Sequence, residues 1–438
     1  MRSQRRLGSG LVAIAIAGVL VASCANAPDS AEIAKGAAPG VTPTQINVGA
    51  LATQSGPLAA DFGAIVPGVK AYFSWINSKG GVWGRKIVLA HNADDGGVPS
   101  NNLTQARILV QQDHVFAVVG VATAFFTASQ FLAQTGTPTF GYATQSEWQG
   151  PPNLFAAYGS TIDFSTGGPF IAYSAYKAHA TSVGLMSYGI AQSSEGCQVG
   201  EQALQNAGIH VGYADLNVPF GGDMTSDVLR MKQAHVDFVV ACFDVNGNLQ
   251  LARTIQQNGL GNIQQFWLDG YDTSTLATYG SLMKDTYFLV QHVPFESTTE
   301  FPGAFPGLEQ YLAVMRRYAP SVATNELALE GWISAALFVQ GLRTAGPHPT
   351  QQAVVDAINK MTDWTANDIM LPVNWKIAHH AVTPPSCTSF SQTVTGPDGK
   401  ELFQVAFNHG TDVWTCFPIK GKVDIGHPVP TPAGVPGT

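Results

Sequence analysis

The sequence predicts an α/β fold of two doubly wound lobes, each built on a parallel sheet that helices cover on both faces. Short apolar runs alternate with amphipathic helical patterns from residue 46 onward, and the same alternation restarts at residue 182. Regular strand–helix alternation is typical of parallel sheets buried between helices. The 438 residues also exceed what one ordinary core holds, so at least two domains are expected.

The first run of elements opens with a β-like segment at 46–51. Apolar residues then recur every three or four positions from Phe62 to Ile76, which indicates an amphipathic helix. Pro67 lies early in this pattern, so the helix either begins near Gly63 or is kinked there. The rest of the run is predicted as strands at 86–90, 116–120 and 138–142 and helices at 99–113 and 126–134.

The second run repeats the pattern and is followed by less regular segments. Its strands are predicted at 182–188, 211–217, 238–243 and 266–269, and its helices at 199–206, 225–234 and 246–258. Beyond it, helices are predicted at 308–318, 328–343 and 351–359, and a β-hairpin region at 375–417 with a turn at 396–399.

The restart of the pattern and the composition of the two ends set the predicted domain boundaries. The segment after the apolar N-terminus is rich in Ala, Pro and Ser, as in flexible linkers, and the last residues are rich in Pro and Gly. The predicted segments are a signal peptide at 1–23, a flexible tether at 24–45, an N-terminal lobe at 46–163 plus 294–371, a C-terminal lobe at 164–293 plus 372–420, and a disordered tail at 421–438.

Composition excludes two classes of protein. Charged residues make up 12% of the chain and hydrophobic residues 45%, which excludes a disordered chain. The net charge of -8 and the lack of a long basic run in the body argue against binding to a nucleic-acid backbone.

The N-terminal segment predicts export. Arg2, Arg5 and Arg6 precede the apolar stretch 7–21, whose 15 residues fall short of the ~20 that a membrane-spanning helix needs. The segment therefore has the form of a signal peptide. Arg5 and Arg6 leave a twin-arginine export signal open beside general secretion.

The signal peptide ends in Val21-Ala22-Ser23-Cys24, which resembles a bacterial lipobox, where the cysteine is lipidated and becomes the first mature residue. The alternative is a core cysteine that follows a membrane helix. We predict that Cys24 carries a lipid, which would place the soluble body at the outer face of the bacterial cytoplasmic membrane or in the periplasm.

Four further cysteines predict disulfides, because an exported chain meets an oxidising compartment and an even number favours pairing. Three pairings are possible. Cys197–Cys242 and Cys387–Cys416 are preferred because each pair lies within one predicted structural region. No CxxC spacing occurs, so neither a zinc site nor a redox site is predicted.

Loops at the carboxyl ends of the predicted strands form the candidate binding site, since ligands of open parallel sheets bind there. Helix N-termini in such loops favour anions. The loops carry aromatic and hydroxyl side chains, including Ser55, Thr123, Tyr188 and Tyr271, a mixture found in ligand pockets, although each aromatic is equally consistent with core packing. They are predicted at 53–57, 122–125, 142–145, 188–190, 243–245 and 269–271.

Catalytic motifs are absent from the sequence. There is no Walker A loop, no GxSxG elbow and no HExxH helix. The chain is therefore predicted to be a binding protein, with no cofactor and no metal. An extracytoplasmic ligand sensor module and, less favoured, a secreted hydrolase with a scattered triad remain as alternatives.

A set of short motifs resembles the type I periplasmic binding proteins of branched-chain amino acid ABC transporters, the Leu/Ile/Val-binding group. The resemblance is dense over 46–145 and looser to about residue 375. It implies two Rossmann-like lobes joined by three crossovers that close on a ligand, an ABC permease as partner, and a monomer. The motifs are Ile46-Asn47-Val48-Gly49, Ser55-Gly56-Pro57-Leu58-Ala59, Gly80-Gly81-Val82, Gly84-Arg85-Lys86-Ile87, Asp94-Asp95 and Val118-Val119-Gly120.

The resemblance also implies ligand contacts, which together with the loop residues complete the predicted site. Asp269 matches the acidic residue that meets a ligand ammonium, although it is equally suited to cap a helix. Asp94 and Asp95 match structural loop residues rather than metal ligands. The remaining implied contacts are Phe62, Ala124, Ala143, Gln145, Phe243 and Asp244.

One of these positions departs from the family pattern. Ala124 stands where the family commonly has a hydroxyl residue. The ligand is therefore expected to be a small polar molecule, either a branched-chain amino acid or a related amide or aromatic acid.

Overall fold

The computed structural model describes residues 38–261 and 263–438. The predicted signal peptide, the predicted lipidation site Cys24 and most of the predicted tether lie outside the described residues. Within them, no helix is both long and apolar enough to cross a membrane.

The first sheet has five strands, all paired in parallel, in the order β2-β1-β3-β4-β5. Alternate residues of β3 enter different cores: Ala117 and Val119 face one side of the sheet, and Val118 and Val121 face the other. This pattern is that of a strand covered on both faces. The strands are β1 (Gln45–Ala52), β2 (Lys86–Asp94), β3 (Ala117–Ala122), β4 (Thr139–Gly141) and β5 (Leu154–Ala156).

The second sheet repeats this topology and then extends it. Its parallel part runs β7-β6-β8-β9-β10, which is the order of the first sheet again, and β11 to β13 add antiparallel strands beyond β10. Both sheets therefore have the doubly wound order that the sequence predicts. The strands are β6 (Val183–Tyr188), β7 (Val211–Val218), β8 (Phe238–Cys242), β9 (Gln264–Trp267), β10 (Thr286–Val290), β11 (Ser386–Thr395), β12 (Glu401–Ala406) and β13 (Trp414–Phe417).

Helices connect the strands and cover both sheets. The first-run helices are α1 (Ala59–Phe62), α2 (Ile65–Ser78), α3 (Pro99–Arg107) and α4 (Ser129–Thr135). The second-run helices are α5 (Gly168–Lys177), α6 (Ala191–Asn206), α7 (Thr225–Gln233), α8 (Val245–Gln257) and α9 (Thr273–Tyr279). The later helices are α10 (Ser297–Glu300), α11 (Pro306–Tyr318), α12 (Glu326–Ala345) and α13 (Gln351–Ile358).

The long helix α12 crosses α2 at a pair of glycines. A Cβ on Gly331 would collide with the carbonyl oxygen of Ile65, and a Cβ on Gly68 with that of Ala328. The two backbones touch because neither glycine has a side chain. This contact packs the N-terminal part of α12 against the helix that follows β1.

Both predicted disulfides are present. Cys197–Cys242 ties α6 to the end of β8, and Cys387–Cys416 joins directly opposed residues of β11 and β13. The preferred pairing is therefore confirmed.

The predicted disordered tail at 421–438 is wrong in this structure. Val435 is buried, Val429 pairs with Cys416 as an isolated bridge, and the indole N–H of Trp414 donates to the Pro436 carbonyl at 2.8 Å. The tail is ordered because it covers apolar surface beside β13.

The tether predicted at 24–45 ends before residue 45. Val41 pairs with Ile46 and packs against the core.

Candidate ligand-binding site

Carboxylates from both sheets meet at the carboxyl ends of the strands. Asp61 lies in α1, after β1; Asp244 follows β8; and Asp269 follows β9. The charges of Asp269 and Asp244 both act on Asp61, so a side chain of the first sheet lies beside two of the second. We call the group Asp61, Asp244, Asp269, Glu326 and Glu330 the acidic cleft.

Asp61 is a buried carboxyl group without a partner. It is 7% exposed, and neither carboxylate oxygen has a hydrogen-bond donor in bonding geometry, although the N–H of Val245 is close enough to lower its pKa slightly. Burial, followed by the charges of Asp269 and Asp244, raises the pKa of Asp61 to about 8. Without a ligand, Asp61 therefore holds a proton at neutral pH.

Asp269 shares that environment. Burial and then the charge of Asp244 raise the pKa of Asp269 to about 6, while the Gly270 N–H and the neighbouring Asp61 carboxyl act in the opposite direction. Because the two carboxyls interact so closely, they titrate as a pair with one shared proton. The backbone carbonyl of Asp269 accepts a hydrogen bond from Asn248 at 2.9 Å.

Asp244 is held in place by its own helix. Its carboxylate caps α8 by accepting from the Gly247 N–H at 2.9 Å and accepts from the Tyr188 hydroxyl at 2.7 Å. The Tyr188 ring stacks on Phe220 with centroids 4.0 Å apart and meets Phe243 edge-on at 4.6 Å. The second-sheet side of the cleft is thus a fixed carboxylate set among aromatic rings.

Helix α12 supplies the other two carboxyls from successive turns. Glu330 is 3% exposed with one orphaned oxygen. Burial raises the pKa of Glu326 and of Glu330 well above the usual range, and the charge of Asp269 acts on both. An isolated bridge between Asp272 and Asn325 holds the loop after β9 against the start of α12.

Tyr142 links the two halves of the acidic cleft. The charges of Glu330, Asp269, Glu326 and Asp61 all raise its pKa, after burial. Its ring lies 6.5 Å from that of Phe62. The four carboxyls therefore lie close enough to the Tyr142 hydroxyl for their charges to act on it.

Within residues 38–261 and 263–438, no Lys or Arg forms an ion pair with a carboxyl of this cleft. The ion pairs between residues 38 and 438, leaving out 262, all use histidine. The nearest is His292, whose Nε2 lies 3.6 Å from Glu326, but burial lowers the pKa of His292 to about 4. His292 is therefore neutral at neutral pH and offers no counter-charge.

Several predicted site residues lie around the cleft. Phe62 and Ala124 pack in one small cluster with Tyr142. Gln145 is 4% exposed, and its amide nitrogen donates to the Thr123 carbonyl at 2.7 Å. Of the other predicted residues, Asp244 and Asp269 belong to the acidic cleft. Tyr188 donates to Asp244, and Phe243 packs against the Tyr188 ring.

Three predicted residues point elsewhere. Ser55 is exposed and hydrogen-bonds to Asp94. Ala143 packs against the core on the other face of the first sheet. The Tyr271 hydroxyl donates to Glu296 and accepts from the Phe295 N–H at 2.8 Å, so it has no free hydrogen-bonding capacity for a ligand.

The loop carboxylates Asp94 and Asp95 accept hydrogen bonds from backbone N–H groups, in agreement with the structural role that the resemblance implies. Asp94 accepts from the Gln54 and Gly96 N–H groups at 2.9 Å, and Asp95 accepts from the Thr53 hydroxyl at 2.6 Å. Among the residues that the structure describes, no three His, Cys, Asp or Glu side chains are grouped so as to hold a metal ion.

Sequence reasoning missed Asp61, Glu326 and Glu330. A signal for the two glutamates exists, because they stand four residues apart at the start of an otherwise apolar helix, ELALEGWISAALFV, and so share one face of it. Asp61 carries no such signal, since a single acidic residue beside Phe62 is also typical of an exposed loop.

A separate surface cavity lies away from the acidic cleft. It has a volume of about 960 Å³ and is lined by residues that include Thr161, Asp163, His380, Pro385 and Lys420. None of the cleft carboxyls lines it. This cavity is therefore a second candidate place for a ligand.

The chain matches a family model described as a periplasmic binding protein over residues 45–397. A curated relative, the Leu/Ile/Val-binding protein homolog 7 of Brucella abortus (strain 2308), is 26% identical over 338 residues, which are 71% of this chain and 80% of the relative.

Solved structures share the fold. A fatty acid ABC transporter substrate-binding protein from Thermomonospora curvata superposes with a TM-score of 0.69 at 15% identity, covering 84% of this chain and 93% of the other. A solute-binding protein from R. palustris in complex with benzoate superposes with a TM-score of 0.66 at 18% identity, covering 82% of this chain and 96% of the other. A branched-chain amino acid transporter substrate-binding protein from Streptococcus pneumoniae in complex with isoleucine superposes with a TM-score of 0.66 at 19% identity. The match covers 83% of this chain and 99% of the other.

Proposed function

The chain belongs to the periplasmic binding protein family, and we propose that it is the substrate-binding lipoprotein of an ABC importer. Members of this family bind small ligands outside the cytoplasm and work with ABC transporter permeases. The observation that carries the proposal is that Asp61, in the helix that follows the first strand of the first sheet, lies close enough to Asp244 and Asp269, which follow strands of the second sheet, for their charges to raise its pKa. A ligand bound there touches both sheets at once.

Binding by hinge closure follows from this arrangement. In an open state the first-sheet loops and the second-sheet loops each offer half of the contacts, and a bridging ligand stabilises only the closed state. The ligand therefore shifts the population toward closure. The closed monomer is the form that docks on the permease. The lobe boundaries at 163, 293 and 371 are the expected hinges.

The ligand is a small polar molecule. The relative from Brucella abortus is named for Leu, Ile and Val, and solved relatives hold benzoate or isoleucine, so amino acids, amides and aromatic acids form the first panel to test. The proposed contacts are Phe62, Thr123, Ala124, Gln145, Tyr188, Phe243, Asp244 and Asp269.

A thermal-shift panel tests the function. Amino acids, amides, aromatic acids and aliphatic amines are each added to the purified protein. One class is expected to raise the melting temperature in proportion to the logarithm of its concentration, because binding at 100 times Kd stabilises a protein by about 2.7 kcal/mol. The bound compound should be recovered unchanged after incubation. Its conversion to a product would identify an enzyme instead and contradict the proposal.

Lipid attachment at Cys24 is proposed from the sequence of the signal peptide. In a bacterial host given radiolabelled palmitate, the wild-type chain is expected in the membrane fraction and labelled. Cys24→Ser should be unlabelled and soluble, whereas Ser30→Ala, in the predicted tether, should behave as wild type. A Cys24→Ser protein that stays with the membrane would contradict lipid anchoring at this residue.

A further inference from the structure

The starts of two helices that belong to different sheets meet at the surface. α9 follows β9 of the second sheet, and its Tyr279 ring lies 5.8 Å from the Arg253 guanidinium of α8. α12 packs on the first sheet, where the rings of Phe338 and of Phe140 in β4 have centroids 5.5 Å apart. A contact between the start of α9 and the start of α12 is therefore a contact between the two halves of the protein.

Thr273 and Thr324 make this contact. The Thr273 N–H donates to the Thr324 carbonyl at 3.0 Å. The Thr273 hydroxyl donates to the same carbonyl at 3.2 Å and accepts from the Thr324 N–H at 3.1 Å. The residues beside them, Asp272 and Asn325, form an isolated antiparallel bridge. Thr273 and Thr324 are therefore directly opposed in a short antiparallel pairing.

The residues that flank this pairing are the N-caps of the two helices. The Asp272 carboxylate accepts from the Thr275 N–H at 2.7 Å, and the Asn325 side-chain oxygen accepts from the Ala328 N–H at 2.8 Å. Each cap is satisfied by its own helix. The backbones can therefore separate at the pairing while both helices stay folded.

We infer that Thr273 and Thr324 are positioning residues of the ligand site, which form a latch between the two sheets in the closed protein without touching the ligand. This inference rests on the proposed function, because the latch acts only if the lobes open and close around a ligand. Asp269 lies four residues before Thr273, and Leu327, three residues after Thr324, packs with Phe62. The latch therefore fixes the separation of two proposed ligand contacts, Asp269 and Phe62.

The latch is weak enough to be reversible. Thr273 is exposed and Thr324 is half-buried, so water replaces their hydrogen bonds when the lobes separate, and each bond has a small net effect. The latch and a bridging ligand stabilise the same closed state. Loss of the latch therefore lowers affinity by the factor by which it lowers the closed population.

A cysteine pair tests whether the contact belongs to the closed state. Opposed residues of an antiparallel pairing have Cα atoms about 5 Å apart, which a disulfide can span, and Cys387–Cys416 already joins such residues. Oxidised Thr273→Cys/Thr324→Cys is expected to have a smaller radius of gyration in X-ray scattering than the ligand-free wild type. Mild reduction should restore the wild-type radius, because Cys197 and Cys416 of the native disulfides are fully buried.

Two results of this experiment would overturn the latch. Cysteines that fail to cross-link would show that the two segments do not meet in solution. A cross-linked protein with the radius of the ligand-free wild type would show a permanent contact that does not change with opening.

A series of variants at Thr273 tests the effect on binding. Thr273→Ser keeps all three hydrogen bonds, Thr273→Val loses the two of the hydroxyl, and Thr273→Pro loses all three. Proline fits because Thr273 is the first residue of α9 and Asp272 before it is extended, with φ −143° and ψ 129°. In calorimetric titrations with isoleucine and with benzoate, affinity is expected to be unchanged for Ser, about threefold lower for Val and about tenfold lower for Pro.

Thr278→Val is the matched control, because the exposed Thr278 hydroxyl donates to the Ser274 carbonyl of the same helix at 2.8 Å and makes no bond to α12. In stopped-flow mixing, the loss of affinity should appear in the dissociation rate, since the latch closes after the ligand has entered. The melting temperature of the empty protein should stay the same. A lower melting temperature of empty Thr273→Pro with unchanged affinity would show a purely structural role and overturn the inference.

The outcomes separate the latch from the proposed function. If isoleucine or benzoate binds the wild type and every variant equally, the latch is overturned and the substrate-binding function stands. If neither compound binds, the cysteine pair decides the latch by itself, and the thermal-shift panel decides the function.

Discussion

The ligand-free protein is expected to lose stability as the pH rises from 5 to 8. Burial and nearby carboxylates raise the pKa of Asp61 to about 8 and of Asp269 to about 6, and burial raises the pKa of Glu296, which lies outside the acidic cleft, to about 7. In the unfolded chain these groups ionise near pH 4. The folded state thus binds more protons than the unfolded state across this window, so stability is fully present below about pH 4 and is lost as the pH rises through the folded pKa values.

The magnitude should be easy to measure. The shift of Asp269 alone corresponds to about 3 kcal/mol, of which about half is lost between pH 5 and pH 8, and Asp61 and Glu296 act in the same direction. Urea unfolding of the empty protein at pH 5, 6, 7 and 8 measures the free energy of unfolding directly. Asp61→Asn should flatten the profile, since the amide cannot ionise. A stability that is constant or rises over this range would show that these carboxyls are not held in a low-dielectric cleft.

Asp269→Ala is expected to lower affinity for the bound ligand by about 2–5 kcal/mol, because it removes one partner of a buried contact and leaves a ligand donor unpaired. Asp269 lies beside both Asp61 and Asp244.

Calorimetric titration with the compound that gives the largest thermal shift measures this effect. Asp227→Ala serves as the control, since Asp227 is buried against Tyr213 and is not part of the acidic cleft. Equal affinities of the wild type and Asp269→Ala would remove Asp269 from the site, whatever the ligand is.

Most of the parallel strands could be predicted from the sequence, because a strand that is buried on both faces is a continuous apolar run with turn residues on either side. Two parallel strands, β5 and β10, were not predicted. β5 has three residues, Leu154–Ala156, too few to show a pattern. β10, Thr286–Val290, is a run of five residues, TYFLV, directly after the turn at 280–285.

The site could be predicted only in part, for a physical reason. Loops at the carboxyl ends of strands are recognisable by position, and this reasoning reached Gln145, Tyr188 and Asp244. The partners of Asp269 are not recognisable in this way. Asp61 and Glu326 are 208 and 57 residues distant from it along the chain, and only the packing of α12 on α2 and the contact of the two sheets bring them together.

The prediction of a disordered tail at 421–438 was wrong for a related reason. Pro and Gly predict an irregular backbone, but they do not exclude packing. In the tail, Val429 and Val435 bury apolar side chains against β13 and its surroundings, and an irregular segment with such contacts is ordered.

A crystal structure of the protein with its stabilising ligand tests the central claim most directly. We predict that the ligand lies between the two sheets, with its donor groups within hydrogen-bonding distance of Asp61 and Asp269 and its chain against Phe62. A ligand found instead in the surface cavity beside Thr161, His380 and Lys420 would contradict binding in the acidic cleft.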